Sequence, residues 1–195
     1  MQLNIPAAIF PETEAQLLST NSTSEFKIYH GKIPSLKCSV LFTAGLSQKE
    51  QSVKEGFEQF KRIELYICLP EYMEVDAAHW SVYWLNRLAE VPGKFNTWFG
   101  PGDTIPAGNP PAEIFEPFPA NHFMLVPPNL LASFFQHERI QKEGIQFLGV
   151  VPIAQEELDY KLRNSWSVLL KRMQKKRLTE KADNFRSSVC RKRWF

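Results

Sequence analysis

The run KRIELYICLP, residues 61–70, limits the fold more than any other part of this chain. Ile63, Leu65, Ile67 and Leu69 alternate on one side, with Tyr66 and Cys68 on the other and the charged Arg62 and Glu64 near the start. A two-residue period marks a β-strand, and apolar residues on both sides mean that both faces are covered. The C-terminal half of this strand is therefore expected to be buried on both sides. Pro70, which has no N–H for a sheet ladder, ends it.

Four other segments read as strands around it. EFKIYHG and KCSVLFTAGLS are rich in β-branched and aromatic residues and run into glycines, while FMLVPP and GIQFLGVVPI close on prolines. Between the early strands and the central one, residues 47–60 are polar and broken by Gly56, and read as loop or a weak helical turn. AAHWSVYWLNRLAEV places Trp80, Trp84, Leu88 and Val91 at three- and four-residue steps, which predicts a helix capped by Asp76 and ended by Pro92-Gly93. EELDYKLRN and WSVLLKRMQKKRL predict two more helices, with Leu158, Leu162, Trp166, Leu169, Leu170 and Met173 as the apolar stripe. Strands mixed with substantial helices give an α+β class, a mixed or antiparallel sheet with helices packed on it. The expected organisation is a loosely ordered lead over residues 1–24 with a short helix around Thr13 to Ser19, one domain over 25–178, and a basic tail over 179–195.

The 195 residues are enough to bury a core without a disulfide or structural metal. No apolar stretch approaches the roughly 20 residues that cross a bilayer, and the first residues lack a signal-peptide pattern. Three cysteines, odd in number and far apart in sequence, fit reduced thiols and a cytoplasmic location. The net charge of +2 is unevenly spread. Residues 171–195 hold ten Lys and Arg against two acids, leaving 13 bases and 19 acids in the remainder. Such a tail could meet nucleic acid or an acidic protein, but the preferred reading is a solvated helix end with a frayed terminus. The expectation is a protein partner, no membrane association and no nucleic acid, with the oligomeric state left open.

NTWFGPGDTIPAGNPP, residues 96–111, surrounds the single acid Asp103 with three glycines and four prolines. Asp103 has no partner carboxylate for acid–base work, and the prolines remove N–H groups that a phosphate cradle would use. His30, His79, His122 and His137 are scattered, without the spacing of a metal site, so neither metal nor cofactor is expected. An enzyme reading would rest on Ser47 or Cys68 with a distant histidine, as in a hydrolase, yet TAGLS is not GxSxG and Cys68 lies in an apolar strand. The reading preferred is non-enzymatic. Prolines and glycines fix the loop, Trp98 and Phe99 root it, and Asp103 is either a self-bonded turn residue or a recognition group on a preformed surface.

Taken together, IELYICLP, WLNRLAEVP, NTWFGPGDTI and QFLGVVPIAQEELDYKL resemble, in that order, the suppressor-of-fused domain family. TAGLS at 43–47 is similar to the Thr-x-Gly-Met-Ser turn of bacterial members, with Leu46 in the methionine's place. The resemblance spans about residues 38–175, and the chain length is similar to the compact bacterial form. It implies an α+β fold, no known catalysis and protein–protein binding. In the animal member, a negative regulator of Hedgehog signalling, the domain grips a peptide of Gli-type transcription factors, and an aspartate that matches Asp103 lies in the groove. A tyrosine there is matched by Val91, a departure from the pattern, and a further domain of the animal protein supplies the groove's other wall. The implied partner surface comprises Asp103, Val91, Trp98, Phe99 and Thr104. For compact bacterial members the resemblance implies an alternative, an immunity protein that neutralises a toxin.

Overall fold

The computed structural model describes residues 3–10, 15–20, 26–178 and 180–190. Its frame is a seven-stranded mixed sheet, made of β1 (Gln16–Thr20), β2 (Lys27–Ile33), β3 (Cys38–Ala44), β4 (Arg62–Pro70), β5 (Thr104–Pro106), β6 (Ala120–Val126) and β7 (Ile145–Ala154). The strand order is β1-β2-β3-β4-β7-β6-β5. Among the described strand pairs β4 and β7 run parallel, and the others are antiparallel. The strand that reads as two-sided thus lies in the middle of the order. This is the expected α+β class with a mixed sheet.

Helices cover both faces. On one face α2 (Trp80–Phe95) sets Val82, Leu85, Leu88 and Ala89 against Ile63, Leu65, Ile67 and Leu69 of β4 and against neighbouring Ile28, Leu41 and Phe123. On the other face α1 (Ile5–Ile9), α3 (Ala132–Phe135) and α4 (Glu138–Lys142) cover Val40, Phe42, Tyr66, Cys68 and Phe147. Further along that face, α5 (Gln155–Arg163) and α6 (Trp166–Lys175) bury Leu158, Leu169 and Met173 on Met124, Val126, Val151 and Ile153. Each fully buried leucine or isoleucine contributes about 2 kcal/mol of transfer free energy, so this two-sided burial dominates the fold.

Several boundaries differ from the sequence reading. His79, not Asp76, caps α2: its Nδ1 accepts from Ser81 N and lies 2.6 Å from Ser81 Oγ. Asp76 instead accepts from Ala78 N at 2.9 Å, closing a turn one step earlier. The helix also passes through Pro92-Gly93 and ends at Asn96, whose φ of 49° is the left-handed cap. A proline removes one hydrogen bond but does not prevent the following residues from staying helical, and Asn accepts the left-handed region more readily than most residues. Within the lead, Gln16–Thr20 is a strand paired with β2 rather than a helix, because the edge of β2 offers backbone partners to an extended chain. Residues 13 and 14 of that expected helix lie outside the described residues.

Residues 180–190, set apart above as tail, pack onto the same body. Ala182 N donates to the Cys68 carbonyl at 2.8 Å at the end of β4, and Ala182 and Val189 are buried. The last five residues, RKRWF, lie outside the described residues.

Candidate functional site

Residues 98–106 are fixed from three directions. Pro101 and Gly102 occupy the corners of a turn in which Asp103 N donates to Gly100 O at 3.2 Å, and the φ of 90° at Gly102 makes it type II. The Asp103 side chain closes the same turn from the other side, with Oδ2 accepting from Gly100 N at 2.7 Å. Gly102 N reaches Leu125 O at 2.7 Å, and Leu125 N reaches Asp103 O at 2.9 Å, which ties the turn to β6 before β5 begins. Gly102 has a second reason to be glycine: a Cβ there would collide with the indole of Trp166, the first residue of α6.

The loop's root is held by Gln51. Its Oε1 accepts from Phe99 N at 2.9 Å, and its Nε2 donates to Phe99 O at 3.0 Å and to Phe60 O at 2.7 Å. One amide side chain thus pins the loop to the segment before β4. Phe99 is only 4% exposed, so it supports the loop from beneath. Trp98 is half-buried, its ring 5.0 Å from that of Phe57 and folded over Gly100. Val91, half-buried on α2, packs on the core below. Thr104 is half-buried at the start of β5, and its Oγ1 is 3.5 Å from Lys161 Nζ of α5.

Asp103 itself is half-buried. Among the described residues no donor meets its second oxygen, Oδ1, so the carboxylate is braced through one oxygen and keeps acceptor capacity in the other. Beside the loop's entry lies an open cleft of about 470 Å³, between the end of α2 (Ala89, Pro92), the turn at Gly45-Leu46 and Gln51. Its floor is apolar, with Phe26 and Ile63, and Asn96 and Thr97 line it where the loop begins.

The residues named for enzyme chemistry have other occupations. Ser47 is 2% exposed and its hydroxyl donates to Glu64 Oε1 at 2.7 Å. Glu64 is fully buried and gathers the whole TAGLS turn: Gly45 N and Ser47 N donate to Oε1 at 2.9 and 3.1 Å, and Thr43 Oγ1 donates to Oε2. Burial pushes the Glu64 carboxyl above its ordinary range, and these four donors work against that rise. Cys68 is 1% exposed, and its thiol is pushed up by donating to Cys38 and by burial. The cysteines that look remote in sequence are thus partly adjacent, Cys38 and Cys68 on paired strands with Cys190 apart. Among the described residues no group of three or more potential ligands is assembled for a metal ion, and no helix is long and apolar enough to cross a membrane.

Sequence reasoning passed over Gln51, Lys161 and Trp166 as members of this region. Gln51 sits in a polar stretch where nothing distinguishes it from surface. Trp166 carried a weak signal, a large aromatic at the first turn of a basic helix, but its target Gly102 is remote in sequence.

Comparison with known proteins gives one family and one fold. The family described as Suppressor of fused protein (SUFU) matches residues 18–186. No curated protein matches the chain. Among solved structures, a suppressor-of-fused homologue from Neisseria gonorrhoeae superposes with a TM-score of 0.68 at 15% identity, covering 97% of this chain and 94% of that one. A chain in the Sufu-Fu complex gives 0.64 at 13% identity over 95% and 89% of the two chains. Drosophila Suppressor of Fused gives 0.59 at 11% identity, over 95% of this chain and 50% of that one.

Proposed function

Because the chain belongs to the suppressor-of-fused protein family, we propose that it is a non-enzymatic protein-binding module whose partner surface includes the 96–111 loop. Asp103, Trp98 and Thr104 form the contact surface, Val91 borders it, and Phe99 supports it from within. The observation that carries this reading is the half-spent Asp103 carboxylate, braced by Gly100 N and with Oδ1 left for an incoming donor. A turn already fixed by glycine, proline and Gln51 loses little freedom on docking, so its contacts count nearly in full toward affinity. That a solved relative is in a complex, Sufu-Fu, supports binding as the mode of action. A cytoplasmic setting suits the free thiols.

The test begins with capture of partners from native lysate and their identification by mass spectrometry. Asp103→Asn keeps an acceptor for Gly100 N but removes the charge, whereas Asp103→Ala removes both. Loss of capture in both, with thermal unfolding still cooperative, supports the assignment. Undiminished capture by a folded Asp103→Ala protein removes the loop from the partner surface.

A second reading, an immunity protein of the compact bacterial type, draws on the close match in extent with the Neisseria gonorrhoeae homologue. It requires that co-expression rescue cells from a toxin encoded beside its gene. A well-expressed protein that gives no protection ends it.

A further inference from the structure

From Tyr160 to Thr179 the sequence holds seven Lys and Arg and no Asp or Glu. The fold turns this run into a surface. Leu169 and Met173 of α6 are consumed by the core, which leaves Val168, Lys171, Arg172, Gln174, Lys175, Lys176 and Arg177 exposed. Tyr160, Val168, Lys171, Arg172, Gln174 and Lys175 line a shallow depression of about 720 Å³. Leu162 of α5, 68% exposed, and Val168, 40% exposed, add apolar area among the charges. Among the described residues no carboxylate pairs with any of the seven cations.

Two of these cations are held in place. Arg172 lies over the Tyr160 ring at 4.8 Å and donates from Nε to Val189 O at 2.9 Å. Lys176 Nζ reaches the same carbonyl at 3.2 Å. A cation bonded only to a carbonyl keeps its full charge, so the patch is oriented and uncompensated. It is also continuous with the loop described above, through Lys161 on Thr104 and Trp166 on Gly102.

We propose that the α5–α6 face is a docking surface for an acidic segment of a protein partner that seats an apolar side chain against Val168. This rests on the protein-binding reading above and extends it by naming the partner's chemistry. The charge complement calls for an anion, and the exposed Leu162 and Val168 call for an aliphatic or aromatic group within it. A nucleic-acid strand fits less well. Base stacking needs an open aromatic platform, and the Tyr160 ring is already covered by Arg172. A strand longer than the patch would also run onto a body with 19 acids against 13 bases outside residues 171–195. A membrane surface fits less well too, because α6 has turned its main apolar face inward and has little left to insert.

The test uses fluorescence anisotropy with a labelled peptide of about twelve residues, Asp and Glu flanking a central Leu-Phe pair, at about 150 mM salt. Comparison probes are the same peptide with Asn and Gln in place of the acids, single-stranded DNA of equal length, and phosphatidylserine-containing vesicles. The wild-type protein is expected to bind the acidic peptide in preference to the other three. Lys171→Glu with Lys175→Glu, both on exposed positions, should weaken it about tenfold or more, and Val168→Ser a few-fold. Circular dichroism melting confirms that each variant is folded. Absence of peptide binding, affinity unchanged by the charge reversal, or tighter binding of DNA or vesicles each overturns the proposal. If partner capture from lysate still depends on Asp103 while the acidic peptide fails, this inference falls and the loop assignment stands. If charge reversal abolishes peptide binding while Asp103→Ala leaves capture intact, the loop assignment falls and this one stands.

Discussion

Arg186 meets Glu157 through both terminal nitrogens, Nη1 at 2.7 Å to Oε1 and Nη2 at 2.6 Å to Oε2, with both side chains almost wholly out of solvent. The guanidinium also lies 3.8 Å from the Phe118 ring centroid and donates to Pro152 O at 2.8 Å. Glu157 takes further donors from Val189 N at 2.9 Å and Ala154 N at 3.2 Å. The segment after α6 is thereby stitched through a buried ion pair to the start of α5.

Removing one partner of this pair leaves a buried charge. Arg186→Ala is expected to cost about 3–5 kcal/mol, read as a lower urea midpoint. Replacing both, Glu157→Gln with Arg186→Met, should cost clearly less than the single change. If the double variant is no more stable than Arg186→Ala, the penalty does not come from the stranded carboxylate.

Glu64 gives a pH signature. Its folded-state pKa lies above the ordinary carboxylate value, so between the two values the unfolded chain releases a proton that the folded chain retains. Stability from this group is full below the ordinary value and is lost as pH rises through the folded one. Glu64→Gln keeps an acceptor for Gly45 N and Ser47 N and should flatten that part of the pH–stability curve. Glu64→Ala strands those N–H groups and is expected to cost about 2–4 kcal/mol. A wild-type curve that does not fall relative to that of Glu64→Gln across the window contradicts the assignment.

Gly102→Ala tests the turn. The φ of 90° and the Trp166 indole both oppose a Cβ, so a loss of about 2–3 kcal/mol is expected from thermal melts. Trp166→Ala should relieve the collision without relieving the backbone strain, so that the two changes together cost less than their sum. Strict additivity would show that the indole does not bear on the turn.

Glu180 anchors the α3 approach. It accepts from Asn129 N, Leu130 N and Leu131 N at 3.1–3.2 Å and from the Tyr66 hydroxyl at 3.1 Å. Tyr66→Phe removes one of four donors, with an expected cost of about 1 kcal/mol, while Glu180→Ala strands three amides and should cost about 2–4 kcal/mol. Gly149→Ala should also weaken this anchor, because its Cβ would stand 2.7 Å from the Tyr66 hydroxyl oxygen. Equal effects of Tyr66→Phe and Glu180→Ala would contradict the amide-cluster role.

The strands around β4 and the helices α2, α5 and α6 were legible because apolar periodicity reports burial directly. What stayed hidden was burial of charge. Glu64 breaks an apolar run and reads as a surface residue, and Glu157, Glu180 and Arg186 lie in segments whose charge density suggests solvent. A carboxylate's place inside is fixed by donors remote in sequence, such as Ser47 for Glu64 or Val189 for Glu157, and a linear pattern carries no trace of them. The short edge strands failed for a related reason: Gln16–Thr20 and Thr104–Pro106 are strands because of the neighbours they pair with, not because of their own composition. At the site, a fixed turn around Asp103 was readable from its glycines and prolines, whereas its type II geometry and the roles of Gln51, Lys161 and Trp166 became visible only once the loop was placed.

The buried stitching of residues 180–190 makes the order of synthesis matter. Glu157 leaves the ribosome before Arg186, and Tyr66 and the 129–131 amides leave it before Glu180. A nascent chain therefore carries its sheet with two unfinished seams, and it reaches its final form only when the last of these partners is released.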